Sequence, residues 1–163
     1  MKLIILRGLP GCGKSTIAKK LGENLNSDVV NGDVFKLESL EKNKSFEEAL
    51  LYSYKKIFKK IKMFFAEEKE FIIVEELFYD KNLIDKIKDF CEQNNVKIYW
   101  FFIGRNIKEI LEVEKNRDRK IKNSEGDFEK LKQKLEDVKI KDEVFINNNE
   151  EIDKSVKLIL EKI

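Results

Sequence analysis

The sequence has no histidine among its 163 residues, and it contains only two cysteines and one proline. The absence of histidine excludes Ser-His-Asp and Cys-His nucleophile systems, His-ligated metals and imidazole acid–base chemistry. Any general base must therefore be a carboxylate. Cys12 and Cys91 cannot form a structural zinc site alone, and a disulfide between them is not expected in a cytoplasmic protein.

Long apolar runs are missing as well. No segment approaches 18 consecutive apolar residues, so no membrane span is expected. A strand-like run follows Met1-Lys2 directly, without the pattern of a signal peptide, and this predicts a cytoplasmic location. With 42% hydrophobic and 39% charged residues, the composition predicts one globular domain over 1–163. The net charge of +2 neither requires nor excludes a nucleic-acid partner.

Glycine is scarce, but three of the seven glycines and the only proline lie within residues 8–13. Residues 8–15 read Gly-Leu-Pro-Gly-Cys-Gly-Lys-Ser and match G-x-x-x-x-G-K-[ST] at every fixed position. A strand-like run precedes this segment, and helical spacing follows it. The pattern predicts a loop whose backbone N–H groups and helix N-terminus bind phosphate.

Each position of this loop has an expected role. Lys14 would reach the β- and γ-phosphates of a nucleotide, and the Ser15 hydroxyl would bind Mg²⁺. Cys12 is either a thiol activated by the helix N-terminus or a small residue that fills the loop. The residues predicted to bind nucleotide are Gly8, Gly11, Cys12, Gly13, Lys14, Ser15 and Thr16.

Strand-like and helical patterns alternate along the chain. Apolar runs predict strands at 2–7, 28–31, 70–75, 96–103 and 143–146. Helical periodicity follows in 45–66, 81–94, 107–118 and about 149–162. This alternation predicts a three-layer α/β/α sandwich with about five mainly parallel strands. Ligands bind at the carboxyl ends of the strands in such folds, so polar residues there are candidates for the site.

The second predicted strand ends in Asn31-Gly32-Asp33. A carboxylate at this position could face the γ-phosphate and accept a proton from an attacking hydroxyl group. Aspartate is also a preferred N-cap, and Asp33 could cap a helix that starts near Val34. The residue type and position leave both interpretations open.

The third predicted strand ends in Glu75-Glu76. An acidic residue after four apolar strand residues is typical of the position that assists Mg²⁺ in phosphate-loop proteins. The spacing favours Glu75 as the residue near the metal, with Glu76 as the alternative. A solvated strand end is the other interpretation of this pattern.

Two of the four arginines, Arg117 and Arg119, lie two positions apart in a charged segment. A guanidinium group can hold two phosphate oxygens at once, whereas lysine acts as a point charge. The polar residues that follow predict a mobile flap, so we expect a lid at about 117–127 with its arginines facing the transferred phosphoryl group. The other interpretation is a solvated, charged helix end.

The chain resembles the small P-loop kinases that transfer the γ-phosphate of ATP to a hydroxyl group. The similarity is greatest to the branch with polynucleotide 5′-hydroxyl kinase domains, zeta toxins and chloramphenicol phosphotransferase. It covers most of the chain, from Gly8–Thr16 through Asp33, the acidic end of strand three and the Arg117–Arg119 segment to a closing strand and helix.

This resemblance implies an ATP- and Mg²⁺-dependent phosphotransferase with Asp33 as general base and Arg117 or Arg119 as lid arginine. The implied acceptor is a polynucleotide 5′ end, a nucleoside-like molecule or another small metabolite. Non-catalytic nucleotide-binding switches and toxin-like kinases are the alternatives. The N-K-x-D and D-x-x-G motifs that a GTPase requires do not occur in the sequence.

Overall fold

The computed structural model describes residues 1–116 and 125–163. Five strands and seven helices alternate in this part of the chain. The strands are β1 (Lys2–Arg7), β2 (Asp28–Asn31), β3 (Phe71–Glu75), β4 (Lys97–Gly104) and β5 (Val144–Asn147). The helices are α1 (Lys14–Leu25), α2 (Gly32–Leu40), α3 (Phe46–Ala66), α4 (Lys81–Gln93), α5 (Ile107–Lys115), α6 (Glu125–Asp137) and α7 (Ile152–Leu160).

The strands form one parallel sheet in the order β2-β3-β1-β4-β5. Strand β1 lies at the centre, where Leu6 is paired with Glu75 of β3 on one side and with Phe101 of β4 on the other. The chain reverses its direction of winding around β1, which makes the carboxyl end of β1 a switch point. The loop at 8–13 therefore begins at the place where such sheets bind ligands.

Helices cover both faces of the sheet. Successive side chains of β1 point to opposite faces, so Leu3 and Ile5 join one core cluster while Ile4 and Leu6 join the other. Helices α3 and α4 contribute most of the helical residues of the first cluster, and α1, α5, α6 and α7 contribute those of the second. The predicted three-layer α/β/α fold is confirmed.

One helix departs from the sequence prediction. Helix α6 was assigned to no predicted element, and its first three residues fall within the predicted lid. It is anchored by Phe128, Leu131 and Leu135, which are all buried in the second cluster. Among the described residues, no helix combines the length and the apolar character needed to cross a membrane.

Candidate active site at the carboxyl end of the sheet

The loop between β1 and α1 has a backbone that depends on glycine. Gly8, Gly11 and Gly13 have φ values of 146°, 83° and 100°, a region that other residues rarely adopt. Space is also short, because a Cβ on Gly8 would lie 2.4 Å from the carbonyl oxygen of Ile103. The curled loop ends at Gly13, directly before the first turn of α1. This is the arrangement that presents N–H groups to phosphate.

A buried asparagine from the opposite end of the chain holds this loop. The Asn148 side-chain amide donates a hydrogen bond to the carbonyl oxygen of Cys12 at 2.8 Å. The Asn148 Oδ1 atom accepts one from the Ser155 hydroxyl at 2.9 Å. Cys12 is fully buried beneath the loop, which favours the interpretation of its side chain as a small filler. The sequence gives no signal for Asn148, because its partners are 136 and seven residues away.

The Lys14 side chain folds back over the loop. Its ammonium group donates hydrogen bonds to the carbonyl oxygens of Gly8 at 2.8 Å and of Leu9 at 2.9 Å. These bonds place a positive charge beside the loop that the sequence predicts to hold phosphate. Thr16 lies next to it in the first turn of α1, with its side chain exposed.

Ser15 and Glu75 are brought together from two neighbouring elements. The Ser15 hydroxyl donates a hydrogen bond to Glu75 Oε2 at 2.8 Å. Burial raises the pKa of Glu75 above its ordinary value, and the Asp33 and Glu76 carboxylates add to this, while Ser15 and Lys14 oppose it. A carboxylate and a hydroxyl group thus meet at the N-terminus of α1, where negative charge is favoured.

Asp33 lies in the first turn of α2, but it does not cap the helix. Helix α2 begins at Gly32, and the N-cap is Asn31, whose side-chain oxygen accepts a hydrogen bond from the Asp33 backbone N–H at 2.8 Å. The N-cap interpretation of Asp33 is therefore wrong, since a residue one position before the helix takes that role. The Asp33 carboxylate instead lies 2.6 Å from the ammonium group of Lys36, one turn further along α2.

Glu76 points away from Glu75, into the opposite layer. It is buried, and its carboxylate accepts hydrogen bonds from Lys36 and from the Leu77 backbone N–H. The structure therefore brings Glu75 to the loop and Glu76 to α2. Lys36 is not among the predicted site residues, although its i, i+3 spacing from Asp33 on a helix is a signal for such a pair.

The buried guanidinium group of Arg7 holds the start of the loop between β1 and α1. Arg7, the last residue of β1, donates hydrogen bonds to the carbonyl oxygens of Leu135 and Val138 at the end of α6. Its Nε atom lies 3.3 Å from Glu143 Oε1, just before β5. Burial lowers the pKa of Arg7 and raises that of Glu143, and each charge partly offsets the shift of the other. Arg7 thus connects the strand that leads into the loop with the end of α6.

The predicted lid arginines, Arg117 and Arg119, lie outside the described residues, as does the lid segment 117–124. Residues 125–127, the rest of the predicted lid, form the first turn of α6. The expected role of the arginines stays a prediction.

The residues near the loop fit a magnesium ion carried with a nucleotide. The Ser15 hydroxyl and the Glu75 carboxylate are hard oxygen donors, the type that Mg²⁺ prefers, and they already lie within hydrogen-bond distance of each other. Within residues 1–116 and 125–163, no group of three or more acidic or cysteine side chains could form a cage of its own around a metal. This agrees with the way Mg²⁺ usually binds, through few protein ligands together with phosphates and water.

An open cleft leads from the side of α1 to the contact between Ser15 and Glu75. It encloses about 700 Å³, and its lining includes Ser15, Lys19, Asn31 and Glu75. The cleft continues between α1 and the edge strand β2 as far as Lys69. The Ser15–Glu75 contact is therefore accessible from solvent along this path.

Solved structures show the same fold at low sequence identity. A putative kinase from Chloroflexus aurantiacus j-10-fl superimposes with a TM-score of 0.76 at 14% identity, over 99% of this chain and 94% of that one. A deoxyadenosine kinase from M. mycoides gives 0.67 at 20% identity, over 98% and 97%. A gluconokinase from Sinorhizobium meliloti 1021 gives 0.65 at 14% identity, over 96% and 87%. These similarities establish the fold.

No curated protein sequence matches the chain. A family profile does match it, that of the AAA domain designated AAA_33, and the match extends over residues 3–139. It includes the loop, Asp33 and the Glu75–Glu76 pair described above. The chain therefore belongs to this AAA domain family, and it shares the fold of the solved structures named above.

Proposed function

We propose that the protein is an ATP- and Mg²⁺-dependent phosphotransferase that moves the γ-phosphate of ATP to a hydroxyl acceptor. The observation that carries this proposal is the placement of two polar pairs at the edge of the sheet where the glycine loop begins. Ser15 and Glu75 meet on the α1 side, and Asp33 and Lys36 meet at the end of the neighbouring strand β2. Asp33 lies near enough to Glu75 to contribute to the raised pKa of that carboxyl group.

The loop would bind and orient the nucleotide. The backbone N–H groups of residues 8–13 and the N-terminus of α1 would bind the phosphates, and Lys14 would neutralise charge on the β- and γ-phosphates. Ser15 and Glu75 would hold the magnesium ion. When bound, Mg²⁺ supplies charge neutralisation at the phosphate oxygens.

Asp33 would act on the acceptor. In the transfer, a bond forms between the acceptor oxygen and the γ-phosphorus while the bond from that phosphorus to the β,γ-bridging oxygen breaks, and this oxygen leaves with ADP. The proton of the acceptor hydroxyl passes to the Asp33 carboxylate. Arg117 or Arg119 would stabilise charge on the transferred group, as the resemblance to the small P-loop kinases implies.

The acceptor would be a polynucleotide 5′-hydroxyl, a nucleoside-like molecule or another small metabolite. The similar structures include proteins called a deoxyadenosine kinase, a gluconokinase and a sugar kinase, whose names all denote hydroxyl-bearing acceptors. Their fold supports a hydroxyl acceptor here without selecting one class.

Transfer of labelled γ-phosphate from ATP tests the proposal. The acceptors are a 5′-hydroxyl oligonucleotide, a nucleoside panel and sugar acids, each with and without Mg²⁺. We expect label on one acceptor class with the wild type and a loss of at least 100-fold with Asp33→Asn. Asp85→Asn is the matched control, because Asp85 is as exposed as Asp33 and also pairs with a lysine of its own helix, Lys81. Tight ATP binding without any labelled acceptor would instead favour a nucleotide-binding switch.

A further inference from the structure

One ammonium group links the proposed base to the interior of the protein. Lys36 Nζ lies 2.6 Å from Asp33 Oδ1 and 2.7 Å from Glu76 Oε1. The side chains of Lys36 and Glu76 are only 10% and 1% exposed, whereas that of Asp33 is 47% exposed. The three charges therefore form a line from the core to the surface, with Asp33 at its outer end.

Glu76 is fixed at the inner end of this line. Its Oε1 atom also accepts a hydrogen bond from the Leu77 backbone N–H at 2.8 Å, and its Oε2 atom lies 3.2 Å from the Ser53 hydroxyl. Gly32 packs against the same carboxylate, since a Cβ at that position would lie 2.0 Å from Oε2. These contacts from α2, α3 and the loop after β3 hold the carboxylate in place.

Lys36 has a long side chain whose usual conformational freedom is lost in the folded protein. Burial favours a lower pKa for Lys36, but Glu76 and Asp33 outweigh burial and raise the pKa above its ordinary value. The ammonium group therefore stays charged, and a buried charge is costly unless it remains paired. Glu76 sets the position of the ammonium group. Asp33, one helical turn earlier on the same face of α2, contacts that group through Oδ1.

We propose that Lys36 and Glu76 are a positioning pair that holds the Asp33 carboxylate in the orientation needed to receive the acceptor proton. The proposal rests on the proposed phosphotransferase function. Lys36 and Glu76 act through Asp33 and do not touch the substrate. Misplacing a catalytic group by about 1 Å costs roughly 100-fold in rate, so a fixed cation beside Asp33 bears directly on the transfer step.

Kinetics of four variants test the pair. Lys36→Met keeps the length of the side chain without its charge, and Lys36→Met with Glu76→Gln removes both buried charges, so the fold is not left with an unpaired ion. We expect kcat to fall about 10- to 100-fold in both, with ATP affinity and acceptor KM within about threefold of the wild type. Lys36→Arg should recover part of kcat. Lys42→Met is the matched control, because Lys42 forms an exposed pair with Glu38.

A double-mutant cycle with Asp33→Asn separates positioning from a general structural effect. If Lys36 acts through Asp33, Lys36→Met has no further effect on the residual kcat of Asp33→Asn. An equal loss in both backgrounds would overturn the proposal, and so would a rise in acceptor KM alone, which would mean that Lys36 contacts the acceptor.

A measurement that does not depend on activity distinguishes a failure of the positioning pair from a failure of the proposed phosphotransferase function. The ¹³C resonance of the Asp33 carboxyl group, assigned with Asp33→Asn, should move in the Lys36→Met, Glu76→Gln double variant and not in Lys42→Met. An unchanged resonance would overturn the positioning pair even if the enzyme is active. A changed resonance in a protein that phosphorylates no acceptor would mean that the pairing stands while the proposed function fails.

Discussion

Glu75 and Glu76 are consecutive residues whose carboxylates lie on opposite faces of the sheet. Glu75 accepts the hydrogen bond of Ser15 on the α1 face, and Glu76 accepts that of Lys36 on the α2 face. The alternation of side chains along a strand produces this division, and it continues for one residue beyond the end of β3. The adjacent carboxylates of Glu75 and Glu76 therefore bind to two different groups of residues.

This division predicts separable effects of two isosteric substitutions. Glu75→Gln removes the negative oxygen beside Ser15, so the Mg²⁺ concentration needed for tight ATP binding should rise about 10- to 100-fold. Titration of ATP binding against Mg²⁺ measures the change, with Glu92→Gln, an exposed position of α4, as control. Glu76→Gln should leave the Mg²⁺ requirement unchanged. An identical Mg²⁺ requirement in Glu75→Gln and the wild type would contradict a metal role for Glu75.

The asparagine that holds the loop can be tested through nucleotide affinity and stability together. Asn148→Ala leaves the buried Cys12 carbonyl and the Ser155 hydroxyl without their partner, so we expect a loss of about 1 to 3 kcal/mol in unfolding free energy. ATP affinity should fall as well, because the loop loses its tether. Urea denaturation and calorimetric titration measure the two effects. Asn147→Ala, with an exposed side chain, should change neither, and a normal affinity in Asn148→Ala would refute the tether.

The buried pair of Arg7 and Glu143 predicts a non-additive pair of mutations. Arg7→Met leaves Glu143 without its cation and frees the carbonyl groups at the end of α6, which should lower the unfolding free energy by about 3 to 5 kcal/mol. Adding Glu143→Gln to Arg7→Met should restore part of this loss. Urea denaturation of the single and double variants measures the coupling.

An exposed pair gives the matched comparison for Arg7. Lys20 and Asp153 approach to 2.6 Å, but their side chains are 40% and 75% exposed, whereas that of Arg7 is 1% exposed. Lys20→Met should therefore lower the unfolding free energy far less than Arg7→Met does. A loss in Arg7→Met no larger than that in Lys20→Met would show that the buried arginine does not anchor α6.

Cys91 gives a stability effect that depends on pH. Burial raises the pKa of the Cys91 thiol to about 12, from an ordinary value of 9.0. Above pH 9 the thiol ionises in the unfolded chain but stays protonated in the fold, so the unfolded state gains stability as pH rises. Relative to Cys91→Ala, the unfolding free energy of the wild type should fall by about 1.4 kcal/mol per pH unit between pH 9.5 and 11. Parallel curves for the two proteins would contradict this.

The phosphate loop and the layers of the fold could be predicted because their signals are local. Apolar runs mark all five strands, and the glycine positions require a curled backbone. Helix α6 was missed, although Phe128, Leu131 and Leu135 have helical spacing, because the polar residues just before Phe128 were interpreted as a flap. In this segment many charged residues surround the helically spaced apolar residues. A high density of charge is also typical of an exposed loop.

The partners of the site residues could not be predicted, since they depend on how distant elements meet. Nothing in the sequence near Asn31 or Asp33 shows which of them caps α2, because both residue types are good caps. The contacts of Glu76 with Lys36 and Ser53 join positions 40 and 23 residues apart. Such relationships exist only once the sheet and the α2–α3 layer are assembled.

The close contact between Gly32 and Glu76 has a consequence for variation among related chains. A side chain at position 32 would displace the carboxylate that anchors Lys36, so the two positions are constrained to change together. Relatives that keep a buried acid after the third strand should keep glycine at the start of α2. Relatives with a larger residue there should have lost that acid. Gly32 lies outside the phosphate loop, yet a glycine at this position indicates which other sequences can hold the buried acid that anchors Lys36.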